Sequence, residues 1–309
     1  MTGLALAVDL GGTKVEAALV DAAGRLLPGS RNRRPTGPAA SSDELAASVA
    51  AAVTATRAAL PEGDEIVGVG IGSAGPIELP DGVSPLNLPV WRGYPLREQV
   101  AALVPEAPAT LRMDGLCIAM AEHWIGAAPG VGNLMGMVVS TGVGGGLILG
   151  GRTIPGPSGN AGHIGHIQVA GFDDLCPCGG RGCLEAVASG PRTVRWAREH
   201  GFTGATGEDL AAGYAAGDPI AIAAVRRSAG AVGEAIASAT ALVDLTVVAI
   251  GGGFSRVTPG YVDVVREAIA QHTVFRYVSA VTVVPSGLSD EGPLIGAAAL
   301  VHRSELLEH

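Results

Sequence analysis

Short apolar runs that end in glycine recur along this chain. Residues 4–8 form the first, and the stretch DLGGTK follows at residues 9–14. A second apolar run covers residues 15–20, and DAAG breaks it at 21–24. The pattern predicts strand, glycine turn, strand, turn and a further strand. Residues 42–60 change to helical spacing, with Ser42 as the expected cap and Pro61 just past the end. IVGVGIGSAG at 66–75 predicts a fully buried strand that runs into a glycine loop. A helix is expected at 94–103, where Leu96 and Val100 mark one face. A short strand at 110–113 leads to Asp114, and residues 115–125 predict another helix.

The opening pattern then repeats. Residues 134–140 predict an apolar strand, TGVGGG at 141–146 a glycine turn, and residues 147–149 a return strand. Two units that start alike predict duplicated α/β domains facing each other. Residues 160–190 read as a loop-rich insert. Helices are expected at 191–200, 207–216 and 219–242, a buried strand at 247–253, a helix at 262–270, a strand at 281–285 and a last helix at 292–301.

Composition narrows this picture. Hydrophobic residues make up 48% of the 309 positions, but aromatics only 4%, so small side chains must fill much of the core. The 47 glycines have no strict period, which excludes a collagen-like chain. Net charge is −9, which argues against the basic face a nucleic-acid partner needs. An anionic ligand is still compatible, because backbone N–H groups hold phosphate without basic side chains. Asp9 interrupts the first apolar run, and the run at 243–250 is too short to span a bilayer, so no membrane partner and no secretory signal are expected. Three of the four cysteines lie together, a spacing that fits a metal site in a reducing compartment and hence a cytoplasmic protein.

DLGGTK is neither a phosphate-binding P-loop nor a dinucleotide fingerprint, since neither glycine spacing is present. Its adjacent Gly11 and Gly12 permit a tight turn with exposed amides. Thr13 adds a hydroxyl, Lys14 has the length to reach a phosphate, and Asp9 at a strand end can hold Mg²⁺ through water. A solvated hairpin is the alternative reading. In STGVGGG, Ser140, Thr141 and the amides of Gly142 and Gly144 are candidates for a second anion nest. Gly251, Gly252 and Gly253 leave backbone room for adenine or ribose at a sheet edge. Each turn is weak by itself, but three of them after apolar strands match a cleft where two sheets converge on one nucleotide.

His166, Cys176, Cys178 and Cys183 supply one nitrogen and three sulfurs, a normal set for structural Zn²⁺. GGRG between Cys178 and Cys183 permits the sharp path such a site needs. His163 and Glu185 flank the ligands and can present polar groups to a sugar. Asp114, between a strand and a helix, is either a general base at a strand end or a helix N-cap. Glu122 and His123 read as helix-surface or interdomain residues without chemistry.

With these motifs placed, the chain resembles the ROK family of bacterial sugar kinases over essentially its whole length. DLGGTK and STGVGGG resemble the two phosphate loops of that family, and GHIQVAGFDDLCPCGGRGCLEA its zinc signature. The resemblance implies an α/β, two-domain actin-like ATPase (ribonuclease H-like) fold with a zinc-binding insert. It implies an N-terminal domain at 1–115, a C-terminal domain at 116–290 with the zinc segment at 160–190, and a final helix at 291–309 crossing back. It implies ATP, Mg²⁺ and structural Zn²⁺, and transfer to the 6-hydroxyl of glucose. A kinase of N-acetylmannosamine or of another hexose is the first alternative and a sugar-sensing regulator the second, with a hexose or N-acylhexosamine as the substrate. By this resemblance Asp114 is the general base, Glu185 and His166 contact sugar hydroxyls, and Gly75 and Asn87 lie in sugar-side loops. His163 stands where the family's glucokinases usually carry Glu, which resembles the N-acetylmannosamine kinases. Met113 stands where the family usually has an Asn beside the base. Homodimers are implied, with a tetramer as the alternative. The family's repressors add an N-terminal helix-turn-helix domain, for which a first strand at residue 4 leaves no room.

Overall fold

A computed structural model describes residues 3–288 and 290–307. The first sheet is built from β1 (Gly3–Leu10), β2 (Lys14–Val20), β3 (Asn32–Pro35), β4 (Glu65–Ser73) and β7 (Ala109–Met113), in the order β3-β2-β1-β4-β7. A small hairpin, β5 (Ile77–Glu78) and β6 (Gly82–Val83), hangs from the end of β4. Helices α1 (Ser42–Arg57) and α2 (Leu96–Leu103) cover one face, and α3 (Asp114–Trp124) follows β7 directly. The second sheet holds β8 (Leu134–Val139), β9 (Val143–Leu149), β10 (Arg152–Thr153), β11 (Val247–Gly251) and β12 (Thr282–Pro285), in the order β10-β9-β8-β11-β12. In each sheet an antiparallel hairpin is extended by two parallel strands, so the repeat seen in the sequence is a repeat of topology. Around the second sheet lie α4 (Leu184–Ala188), α5 (Gly190–Glu199), α6 (Gly207–Ala215), α7 (Pro219–Val243), α8 (Tyr261–His272) and α9 (Arg276–Ser279). The last helix, α10 (Gly292–His302), returns to pack on β1, β4 and α3.

Several local expectations are corrected. The cap of α1 is Ser41, whose hydroxyl accepts the Glu44 N–H while Glu44 bonds back to it; Ser42 is the first helical residue and accepts from the Trp91 indole at 3.0 Å. The expected helix at 94 begins at Leu96, and Pro95 precedes it. The run Gly144–Gly146 is strand, not turn, with the turn confined to residues 140–142. Glu122 and His123 are buried rather than on a helix surface. The Glu122 carboxylate accepts the Ser286 hydroxyl and the amides of Ala127 and Gly287, and so pins the loop that leads into α10.

Missing side chains explain how the two sheets share helices. A Cβ on Gly115 would overlap the Gly145 backbone, and one on Gly146 would overlap that of Gly115 and Leu116. The start of α3 therefore lies directly on the hairpin of the second sheet while remaining joined to the first. On the other side, a Cβ on Gly70 would overlap the Ala297 carbonyl, and one on Gly296 that of Cys117. Small residues let α3 and α10 approach the strands closely, which offsets the shortage of aromatics.

Candidate active site and metal centre

The junction of β7 and α3 places Asp114 between the two glycine turns. The N-cap of α3 is Met113, and Asp114 is the first helical residue, with its Oδ1 accepting the Gly115 N–H at 2.7 Å. The cap reading of Asp114 is therefore set aside. Asp114 lines a cleft of about 230 Å³ together with Asp9, Gly11, Gly12, Thr13 and Lys14 from the first turn. Ser140, Thr141, Gly142 and Gly144 line it from the second turn, and Gly75, Asn87, His163, His166 and Glu185 complete it.

The first turn does not work quite as its sequence suggests. The Gly11 N–H is used within the turn, donating to the Lys14 carbonyl at 2.9 Å. The amides of Gly12 and Thr13 have no protein partner among the described residues. Gly12 is required by proximity, since a Cβ there would lie 2.6 Å from the Cβ of Asn87. Lys14 borders the cleft, but its ammonium rests on Glu16, a buried carboxylate that also accepts from Arg31 and Arg33. Burial opposes the charge of Glu16, yet these three cations hold its carboxyl below the usual range. Glu16 is in register with Asp9, one strand over. Asp9 is pushed up to about 7 by burial first, then by the charges of Asp114 and Glu16. Burial raises Asp114 to about 6; the Gly115 N–H acts the other way and Glu185 adds repulsion.

In the second turn, the Ser140 N–H donates to Gly142 and the Val143 N–H donates to Glu185 Oε2 at 3.0 Å. Thr141 and Gly142 keep amides without a protein partner among the described residues. Gly144 opens onto empty space on its Cβ side. The glycine triplet divides differently from expectation. Gly251 ends β11, and Gly252, at φ 97°, turns its Cβ side onto the Val139 backbone. Gly253 alone of the three lines a second cavity of about 570 Å³, which shares Ser140 and Thr141 with the first. Its other walls include Val194, Phe254 and Val257, with Arg198 and Arg256 at the rim. No periodicity or motif marks these wall residues, so the sequence reading missed them.

At the far end of the cleft, a Cβ on Gly75 would meet Met113 Sδ at 3.2 Å and His163 Cε1 at 3.3 Å. Met113 itself is buried and does not line the cleft. The His163 and His166 rings meet edge to face at 4.6 Å. Burial, and then the neighbouring His166, lower His163 to about 4, so it is a neutral imidazole at neutral pH. Asn160, three residues before His163, pairs with both the N–H and the carbonyl of Ile77 at 2.8 Å, and so ties the metal segment to the hairpin after β4. That contact spans 83 residues and had no sequence signal.

Behind this end lie the donors of the metal cluster. His166, Cys176, Cys178 and Cys183 bring one ligand atom each to within 4.8 Å of one another. Cys176 Sγ lies 3.6 Å from His166 Nδ1, and Cys178 Sγ 3.6 Å from Cys183 Sγ. Zinc–sulfur bonds of about 2.3 Å and zinc–nitrogen bonds of about 2.0–2.1 Å in a tetrahedron require separations of about 3.6–3.8 Å. The donor set fits Zn²⁺. Burial pushes the Cys176 thiol up to about 12, so thiolates this close need a cation to offset them.

The family model that matches residues 5–304 of this chain is that of the ROK family. The chain belongs to the ROK family. Among its ROK relatives, a glucokinase of Streptomyces coelicolor is 30% identical over 322 residues, covering 98% of this chain and 99% of that one. An N-acetylmannosamine kinase of Escherichia fergusonii is 32% identical over 307 residues, covering 97% and 99%. The crystal structure of a ROK family glucokinase from Streptomyces griseus, in complex with glucose and AMPPNP, superimposes with a TM-score of 0.84 at 30% identity, covering 97% of this chain and all 100% of that one. The ROK fold and the zinc-type cluster expected from the sequence are thus present. Among the described residues no helix is long and apolar enough to cross a membrane.

Proposed function

We propose that this ROK protein transfers the γ-phosphoryl group of ATP to the 6-hydroxyl of glucose. One observation carries the reading: Asp114 stands in one cleft between two glycine turns with unpartnered amides and a polar wall fixed by the metal cluster. Residues 1–115 and 116–290 are read as the two lobes, with the segment 291–309 crossing back; the packing of α10 on β1 and β4 supports this, and residues 308 and 309 lie outside the described residues. The amides of Gly12, Thr13, Thr141 and Gly142 face the triphosphate, and the second cavity takes the nucleoside. Mg²⁺, when bound, would supply charge neutralisation at the phosphates, and Asp9 would hold it through water.

At the sugar end, Glu185 accepts hydrogen bonds from hydroxyls. With Nδ1 of His166 directed at the sulfurs, Nε2 carries the proton and donates into the cleft. Asp114 orients the 6-hydroxyl towards the γ-phosphorus. It takes the proton as the new O–P bond forms and the bond to ADP breaks. Its raised pKa suits a base working near neutral pH, because it loses the proton below pH 7 yet binds one readily. Zinc, held by four protein donors, serves to fix the 160–190 segment.

The second reading is an N-acetylmannosamine kinase. His163, and relatives of that name at identity comparable to the glucokinases, favour it. An ATP-coupled phosphorylation screen over glucose, mannose, N-acetylglucosamine and N-acetylmannosamine separates the two. Glucose as the best substrate by kcat/KM supports the first reading, and N-acetylmannosamine the second. Transfer to none of them overturns both.

A further inference from the structure

The metal segment has little secondary structure of its own. Between residues 160 and 190 it holds a single short 3₁₀ turn at Ile164–His166 and the five-residue α4. A separate device ties it to the body of the protein. Arg227, in the first half of the long helix α7, sends its guanidinium to Asp174 before the cysteines and to Val187 in α4 after them. Its Nη2 lies between the two carboxylate oxygens of Asp174, at 2.7 and 2.6 Å. Its Nη1 donates to the Val187 carbonyl at 3.0 Å.

Both partners occupy decisive places. Asp174 precedes Cys176 by two residues, and its carbonyl accepts the Gly182 N–H at 2.9 Å, closing the base of the loop that carries Cys176 and Cys178. Val187 belongs to α4, one turn after Cys183 and two residues after Glu185. A cation on a carbonyl at the end of a helix is also favoured by the helix dipole. The next residue, Ser228, adds a second tie through its hydroxyl to the Ala188 carbonyl at 2.8 Å.

The Arg227–Asp174 pair is not an ordinary surface ion pair. The Arg227 side chain is only 13% exposed. Its guanidinium lies over the rings of Phe172 at 4.9 Å and Trp196 at 5.4 Å. The two rings cover part of the planar guanidinium and add cation–π attraction, which favours this placement of the fork. Lysine lacks the planar fork that reaches the Asp174 carboxylate and the Val187 carbonyl from two nitrogens while stacking on the rings.

We propose that Arg227 is a positioning residue for the metal site: it clamps the two ends of the cysteine loop to α7 and so holds the four donors, and Glu185 beside them, in register. Arg227 is neither one of the four metal donors nor a residue of the cleft lining. It acts through Asp174 and Val187. The clamp goes beyond the kinase reading and stands on the metal cluster alone.

The test is release of zinc from the zinc-loaded full chain to an excess of a chromogenic chelator, at a temperature well below melting. Arg227→Met is expected to speed release by about tenfold or more, the scale on which outer supports of a metal site act. Asp174→Asn is expected to act in the same direction. The double variant is expected to release no faster than the faster single variant, because both remove one clamp. Arg227→Lys is expected not to restore the wild-type rate. Trp196 emission should shift in Arg227→Met. As a control, Val53→Ala lowers stability in the core of the first sheet without touching the clamp. Release by Arg227→Met at the wild-type rate overturns the proposal. So does equally fast release by a Val53→Ala protein with the same melting loss, or strict additivity in the double variant. If Arg227→Met does not fold, Asp174→Asn decides alone by the same criterion. Fast release in a protein that phosphorylates none of the sugars would uphold the clamp while the kinase reading falls.

Discussion

Glu185 Oε2 accepts the Val143 N–H at 3.0 Å, and this bond, beside that of the Gly190 N–H to the Ser140 carbonyl at 2.8 Å, joins the metal segment to the second glycine turn. It also explains Gly142, since a Cβ there would lie 2.5 Å from the same oxygen. Gly142→Ala is expected to displace the Glu185 carboxylate. The sugar kcat/KM should fall by the worth of a charged hydrogen bond, about 1.5–3 kcal/mol, or roughly tenfold to a hundredfold. The nucleotide KM, which reports the Gly142 amide at the phosphates, should change less than the sugar term. Steady-state kinetics with each substrate varied checks the split; an unchanged sugar term would place Glu185 outside the sugar contacts.

Gly144 offers the contrasting case. Its Cβ side is open, so Gly144→Val should fold and melt like the parent. The added methyls project towards the cleft, where phosphate is expected to meet backbone. The nucleotide KM is expected to rise, or transfer to cease. A variant with unaltered nucleotide kinetics would remove the second turn from the phosphate site.

Metal analysis of the purified protein should return about one zinc per chain, as a closed four-donor site requires. Cys178→Ser is expected to lower that ratio and the melting temperature together, because the metal links a segment with few other constraints. A ratio near zero in folded, active protein would defeat the zinc assignment.

Asp114→Asn keeps the shape of the side chain and the bond from Gly115, but it cannot take a proton. Its kcat is expected to fall by roughly 10²–10⁴-fold, with zinc content and substrate binding retained. Stability should move the other way. Asp114 is raised to about 6 in the fold, above its unfolded value. Ionising it therefore costs stability as pH climbs from about 4 through 6, because the folded state binds the proton more tightly. The Asn variant escapes this cost. It should melt above the parent at pH 8, and the gap should close by about pH 4. Parent kcat/KM should rise with pH through about 6. Equal kcat for both proteins would refute the base, and a gap that widens on acidification would refute the sign.

His163→Glu is expected to change the ratio of glucose to N-acetylmannosamine activity. The neutral imidazole can donate one hydrogen bond, whereas an ionised glutamate only accepts, and one buried bond is worth about 1–3 kcal/mol. Parallel kinetics on both sugars reads the ratio. If it stays constant with both activities measurable, residue 163 does not discriminate.

The sequence by itself determined what depends on neighbours along the chain. Apolar runs ending in glycine marked the strands and turns of both sheets, because burial and tight turning are local demands. The cysteine spacing and His166 disclosed the metal cluster, because zinc chemistry restricts the ligand set more than any fold does. The expected cap of α1 is Ser42, but Glu44 stands three residues after Ser41 and completes the capping box there. The tertiary structure alone decided contacts between distant segments. It set Arg31 on Glu16 across 15 residues, buried Glu122 against Ser286 across 164 residues, and made Gly144–Gly146 a strand under α3. It likewise set Arg227 on Asp174, 53 residues away. A charged side chain is satisfied by whichever partner the packed elements bring within about 3 Å, and no periodicity along the chain encodes that meeting.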